Sequence, residues 1–152
     1  MDVIKPSSVT QEFLNTGQQG IPLLICTESG RIYKRLESAK YQVIQLNAPV
    51  SKALLDYSPD ERPTKVEAVF KKTLNTDSSV LITDFEMLFD PRYEIDVIKL
   101  FCDKARITNV AVKWPGKYTN GKLTYAEPGD PDYHEYDCKA YQIRVVQQED
   151  AS

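Results

Sequence analysis

With 152 residues, 41% hydrophobic and 27% charged, the chain has enough apolar material for one core and too balanced a composition for disorder or a collagen-like repeat. No apolar run approaches the ~20 residues that a bilayer crossing needs, and a formal net charge of −3 denies the chain the broad basic footprint of a nucleic-acid binder. The opening Met1-Asp2-Val3-Ile4-Lys5-Pro6 has an acid beside the initiator and no apolar stretch, so no secretory signal and a cytoplasmic location are expected. One domain covering 1–152 is expected, with a polar N-terminal segment over 1–20 and a frayed polar tail over 147–152.

In chain order, the first segment accommodates a short helix around Val9 to Leu14, broken by Gly17-Gln-Gln-Gly20. Pro22-Leu23-Leu24-Ile25-Cys26 is a short continuous apolar run bounded by turn residues, the pattern of a strand covered on both faces. Thr27-Glu28-Ser29-Gly30 ends it, and Ile32, Leu36 and Ala39 mark one face of a following helix. Tyr41 to Leu46 reads as a second strand, and Val50 to Tyr57 as a helix ahead of the Pro-containing stretch Ser58 to Pro63. A further helix is expected with Thr64 as its cap, Glu67 three residues on, and an apolar stripe of Val66, Val69, Phe70 and Leu74. Val80-Leu81-Ile82 predicts a third buried strand ending in Thr83-Asp84-Phe85-Glu86. Ile95, Ile98, Phe101, Cys102 and Ala105 recur at helical spacing and lead into a fourth strand at Val110-Ala111-Val112.

The last third changes style. Asn120-Gly121 between Tyr118 and Leu123 is a two-residue hairpin signal, because both positions accept positive φ. Glu127-Pro-Gly-Asp-Pro-Asp132 is a turn-rich acidic loop that carries His134 toward solvent. Tyr141, Ile143 and Val145 alternate with Gln142 and Arg144 as a final half-exposed strand.

Strands alternating with helices imply an α/β fold: a mainly parallel sheet flanked by helices, with a C-terminal β-hairpin. Ligands in such sheets lie beyond the carboxyl ends of the strands, where Thr27 to Gly30 and Thr83 to Glu86 project. The arrangement is P-loop NTPase-like, and the first loop can be tested against the phosphate-binding pattern Gly-x-x-x-x-Gly-Lys-Ser/Thr. There, glycines let backbone N–H groups surround phosphate, the lysine reaches the outer phosphates and the hydroxyl holds Mg²⁺. With Gly30 as the second glycine, Ile25 stands at the first, Arg31 at the lysine and Ile32 at the hydroxyl. Arg31 keeps the charge without the compact ammonium, Ile32 has no metal ligand, and Ser29 offers a hydroxyl from the wrong position. Val80 to Asp84 meets the loose requirement of a Walker B strand, an apolar run ending in an acid that can hold Mg²⁺ through water. Capping of the next turn is the commoner role for Asp84, and a solvated helix position for Glu86. Ser29, Gly30, Arg31, Asp84 and Glu86 are therefore the candidate nucleotide-binding residues, with no catalytic or metal-ligating residue nominated and no active NTPase expected.

Other constellations carry less. Cys26, Cys102 and Cys138 are odd in number and widely spaced, which favours inert thiols over disulfides, and His134 with Cys138 lacks the second ligand pair of a zinc site. Trp114-Pro-Gly-Lys-Tyr118 can stack on a ligand base but more often marks a strand leaving the core through a tight turn. Tyr125, Tyr133, Tyr136 and Tyr141 near acidic residues can form either a protein-binding surface or an ordinary half-buried hairpin face. Lys34, Arg35, Lys71, Lys72, Lys113 and Lys117 form a nucleic-acid face only if the fold gathers them, and the acidic total favours scattered solvation.

Three strings, in this order and spacing, add a resemblance: Val80-Leu-Ile-Thr-Asp-Phe-Glu-Met-Leu-Phe-Asp-Pro91, Val112-Lys-Trp-Pro-Gly116 and Leu123-Thr-Tyr-Ala-Glu-Pro-Gly-Asp-Pro-Asp-Tyr133. Together they resemble the BrxF family, small P-loop-containing proteins of BREX (bacteriophage exclusion) clusters, over Ile21 to Val146. The resemblance implies a role in antiphage defence beside a DNA methyltransferase, a phosphatase-like protein and large ATPases, with other BREX proteins as partners. It also implies nucleotide binding, yet Cys26 to Ile32 departs from the family's Gly-rich loop with Lys and Thr. The leading expectation is thus a BrxF-like subunit that acts mainly by docking onto other defence proteins, with no cofactor. ATP and Mg²⁺ enter under the alternative, an NTPase with a nonstandard cradle; the second alternative is a nucleic-acid-binding adaptor. A homo-oligomer is left open, and neither membrane nor direct nucleic-acid contact is expected.

Overall fold

The computed structural model describes residues 2–16, 20–28 and 30–147. Along the chain the elements are β1 (Asp2–Ile4), α1 (Gln11–Thr16), β2 (Leu23–Ile25), α2 (Gly30–Ser38), β3 (Gln42–Gln45), α3 (Asn47–Leu54), α4 (Arg62–Thr73), β4 (Val80–Thr83), α5 (Val97–Ala105), β5 (Val110–Lys113), β6 (Lys117–Thr119), β7 (Lys122–Tyr125), β8 (His134–Asp137) and β9 (Arg144–Val146). Short 3-10 helices lie at Pro6–Ser8, Glu86–Phe89 and Cys138–Ala140. No helix among the described residues is long and apolar enough to cross a membrane.

The three uninterrupted apolar runs become the inner strands β2, β4 and β5 because both of their faces are covered. Six parallel strands run in the order β1-β9-β2-β5-β4-β3. Side chains alternate between two cores. Leu23, Ile25, Leu81, Ala111 and Val146 pack with Val9 and Leu14 and with Ile32 and Leu36 of α2. Leu24, Val80, Ile82, Val110, Val112 and Val145 pack on the opposite side with α3, α4, α5 and the C-terminal sheet. The outcome is the expected α/β architecture.

The helix starts follow local chemistry. Thr10 Oγ1 accepts from the Phe13 N–H at 3.1 Å ahead of α1, and Asp96 caps α5 by accepting from the Lys99 N–H at 3.1 Å. Thr64 does not cap α4. That helix begins at Arg62, Pro63 fills its first turn, and Thr64 instead donates its hydroxyl to the Glu61 carbonyl at 2.7 Å; proline in the first turn costs no hydrogen bond and pulls the start forward.

The C-terminal region also departs from expectation. Asn120 and Gly121 do turn the hairpin with φ of 53° and 78°, but β6 and β7 are joined by β8 into a three-stranded antiparallel sheet. The half-exposed strand expected from Tyr141 to Val145 is shorter, later and mostly buried. β9 spans Arg144–Val146 between β1 and β2, and Tyr141 and Ile143 precede it, packed against the α5-side core. His134 is a half-buried strand residue, its ring 5.2 Å from that of Phe89. The tail from 148 onward lies outside the described residues.

The small sheet is held to the large one by aromatic rings. Phe89 sits 5.9 Å from Phe85, 5.6 Å from Trp114 and 4.2 Å from Tyr125, and the Trp114 indole N–H donates to the Thr124 carbonyl at 3.0 Å. Phe89 is fully buried, so Phe89→Ala should cost about 3–5 kcal/mol in urea unfolding. Val43→Ala, on the exposed edge strand β3, should stay within ~0.5 kcal/mol. A loss at Phe89 no larger than at Val43 would show that the rings do not join the sheets.

Candidate functional site

Adjacent parallel strands β2 and β5 send the chain to opposite faces of the sheet: β2 leads into α2, β5 into the small antiparallel sheet. A crevice opens beyond their carboxyl ends, the usual ligand position in a sheet of this kind. It has a volume of about 380 Å³ and is lined by Cys26, Thr27, Glu28, Tyr33, Lys113 and Trp114, with Ile25, Pro115 and Gly116. The ladder continues into its floor, with Cys26 N–H donating to the Val146 carbonyl at 2.8 Å and Trp114 N–H to the Ile25 carbonyl at 3.1 Å. On size and position alone this is a ligand-sized recess.

Its chemistry is not that of phosphate capture. Ile25 and Ile32, at the first-glycine and hydroxyl positions of the phosphate-loop pattern, are 1% and 0% exposed in the α2-side core. Ile32 does not line the crevice, and Ile25 brings it only an apolar side chain and no metal ligand. Gly30 opens α2, where an added Cβ would meet nothing within 4 Å and no positive φ demands glycine. Arg31 is exposed on the first turn of α2 and does not line the crevice, while Ser29 lies outside the described residues. Glu28 brings a carboxylate to the segment leading into α2, the end of a helix that favours negative charge. A fixed acid there competes with a phosphate for the same field. Lys113 places its Nζ 5.6 Å from the centre of the Tyr33 ring, over its face.

Cys26 and Tyr33 are not activated as nucleophiles. Burial, and then the nearby Cys138, push the Cys26 thiol up to about 12, and burial, followed by Cys26 and Glu28, takes the Tyr33 phenol up to about 12. Both keep their protons at neutral pH. The chain's single histidine is in β8, against Phe89, and lines other space. Trp114 acts structurally: its ring packs on Phe85 and Phe89, and its N–H is taken by Thr124.

The acids after β4 lie one strand away from the crevice. Strand β5 lies between β2 and β4. Asp84 is exposed with φ of 50°, and its carbonyl accepts from the Asn47 N–H at 2.6 Å. It does not cap the next turn, whose N-cap position is Phe85, without a side-chain capping bond. The Asn47 side chain clips the loop down, donating Nδ2 to Glu86 Oε2 at 2.8 Å and accepting the Met87 N–H at 3.2 Å. Glu86 lines a separate recess of about 290 Å³ with Ser51, Met87, Asp90, Arg92 and Asp132. Gly30, Arg31 and Asp84 line neither this recess nor the strand-end crevice. Sequence reasoning missed Tyr33 and Lys113 as crevice residues; the switch between neighbouring strands, visible only once the strand order is known, brings them together.

The basic residues do not gather either. Lys34 and Arg35 are on α2, and the Arg35 guanidinium donates to the Val9 carbonyl at 3.0 Å. Lys71 and Lys72 are on α4 across the sheet, with Lys71 paired to Glu67 at 3.2 Å. Lys117 pairs with Glu127 at 3.4 Å.

The two glycines nearest the crevice should behave oppositely. Gly30→Ala should stabilise by about 0.5 kcal/mol through the unfolded chain. At Gly116 an added Cβ would overlap the Thr124 carbonyl, so Gly116→Ala should cost about 2–3 kcal/mol. Thermal unfolding of both variants checks this, and a destabilised Gly30→Ala would mean that the loop needs its glycine after all. Iodoacetamide labelling of Cys26, followed by mass spectrometry, should keep accelerating above pH 9 without a plateau. Comparison with family models, curated proteins and solved structures gives no match.

Proposed function

We propose that this chain is a BrxF-like component of a BREX antiphage defence system, built on a P-loop NTPase-like fold with a degenerate phosphate loop, that acts mainly through protein–protein interaction. The observation that carries the noncatalytic half of this reading is the burial of Ile25 and Ile32. The positions that should present backbone and hydroxyl to Mg-bound phosphate instead supply core side chains.

The three strings behind the family resemblance support the other half. Phe85 and Phe89 come from the first, Trp114 and Gly116 from the second, Thr124 and Tyr125 from the third, and these residues touch one another. Their common spacing therefore encodes the mounting of the small sheet on the large one, a structural feature rather than a reaction centre. A rigidly mounted sheet presenting tyrosines and acids suits docking.

Isothermal titration of the full chain with Mg-ATP should give no saturable heat at millimolar nucleotide. Tight binding that is lost in Asp84→Ala would replace this reading with that of an NTPase using Ser29, Gly30 and Arg31. A pull-down of the tagged chain from cells carrying its neighbouring genes should retain products of those genes. Retention of none of them would sink the docking role.

A further inference from the structure

The strands at sheet edges among the described residues are β1 and β3 in the large sheet and β6 and β8 in the small one. An open edge presents N–H and C=O groups to any strand that approaches, and charged side chains are a usual protection. β1 carries Asp2, β6 carries Lys117, and β8 carries Glu135 and Asp137. β3 is Gln42-Val43-Ile44-Gln45, with neither charge nor proline. Val43 is 57% exposed, and Ile44 is half-buried at the margin of the α5-side core.

The hydrogen bonds of β3 show what its outer side offers. The Gln42 N–H donates to the Ser79 carbonyl at 2.8 Å and the Leu46 N–H to the Thr83 carbonyl at 3.0 Å, and in a parallel pairing every second residue turns the same way. Gln42, Ile44 and Leu46 therefore face β4, while the N–H and C=O groups of Val43 and Gln45 face outward. The outward stretch ends there on both sides. Two positions further along, the Tyr41 N–H is given to the Leu36 carbonyl at 3.0 Å and the Asn47 N–H to the Asp84 carbonyl at 2.6 Å.

We infer that β3 pairs edge to edge with β3 of a second copy of this chain, antiparallel about a two-fold axis at Ile44. In that register Val43 of one copy lies opposite Gln45 of the other, and every outward N–H and carbonyl of these residues is met. The neighbouring two-fold registers fail. Centring on Val43 sets Gln45 against Tyr41, and centring on Gln45 sets Val43 against Asn47, residues whose N–H groups are already committed. Charge favours a second copy as the occupant. A two-fold pair sets a strand against its own sequence, so a charged edge repels itself and this one does not. The Ile44 side chains meet across the axis, in a non-hydrogen-bonded pair where side chains stand closest, and each covers the exposed part of the other. A strand of 4 residues buries less than the ~1,200 Å² of a stable complex, so the dimer is weak, with a Kd of about 100 µM. This contact goes beyond the docking role proposed above, which needs no second copy.

Sedimentation velocity of the full chain between about 10 µM and about 1 mM should show the mean mass rising from monomer toward dimer. Gln45→Pro removes an outward N–H that the sheet does not use, and Val43→Lys sets a charge on the edge. Both should leave unfolding of the dilute chain nearly unchanged and weaken the dimer at least about tenfold. Under mild oxidation Ile44→Cys should give a disulfide-linked dimer, because facing Cα atoms in such a pair are ~4.5 Å apart. The wild type should not, nor should Val43→Cys, whose counterpart lies a diagonal away beyond the ~7 Å limit. A chain that stays monomeric at about 1 mM, ten times the expected Kd, overturns the inference. So does a dimer indifferent to both edge variants, or equal cross-linking at the two cysteine positions. If the wild type is monomeric and Gln45→Pro loses the neighbouring gene products in the pull-down, the edge receives another protein's strand and the dimer falls.

Discussion

The attachment of Trp114 to Thr124 is the constraint from which most of the remaining structure follows. One hydrogen bond from the indole N–H, the close approach of Gly116 to the same carbonyl and the ring of Phe89 fix where β7 lies over the end of the large sheet. With β7 placed, β8 pairs beside it, and Tyr136 is delivered to the start of α5. The chain then returns through Cys138 and Ile143, both buried in the α5-side core, into β9. That return matters because β9 fills the slot between β1 and β2. A strand late in the sequence thereby completes the sheet beside the earliest apolar one, a closure of long sequence separation.

The position of the strand-end crevice and its chemistry have separate origins. Position is set by topology: β2 and β5 remain neighbours that part to opposite faces. Chemistry is set by the loop residues, and here two isoleucines turn inward where backbone and hydroxyl would be needed. The glycine that cannot be replaced is Gly116 on the far wall, because of Thr124, while Gly30 at the helix start stands in open space. The close backbone approach that a phosphate loop reserves for its ligand is used in this molecule between two segments of protein.

How much of this could be read from the sequence depended on burial. Leu23–Ile25, Val80–Thr83 and Val110–Lys113 were legible because strands covered on both sides need continuous apolar runs. The Asn120-Gly121 turn was legible because two adjacent positive φ angles admit few residues. Less could be read where neighbours decide. Asp2–Ile4 forms an edge strand with exposed side chains, and nothing local distinguishes it from a polar arm. Tyr141 and Ile143 alternate with polar residues like a strand, but they are half-buried and buried through packing on α5 and Tyr136 rather than through a ladder. Asp84 and Glu86 were candidate nucleotide-binding acids because they follow a buried strand, whereas Asn47, far away in sequence, holds Glu86 in a recess with Met87 and Asp90. A recess between the start of α5 and β8, lined by Tyr93, Asp96, Tyr133, Tyr136 and Tyr141, was only partly visible: Tyr133, Tyr136 and Tyr141 stood out near acids, but Tyr93 and Asp96 joined them only through the placing of α5.

Asp96 links stability to the recess. Its carboxylate ends the first turn of α5 and also takes the Tyr141 hydroxyl, while α5 itself is anchored by Phe101 against Phe70 and Phe85. The wall and the charge of the recess are thus set by the same bonds that begin the helix. Loosening the helix start would therefore reshape this recess before it unfolded the domain, because the recess borrows its geometry from two hydrogen bonds and the core from many rings.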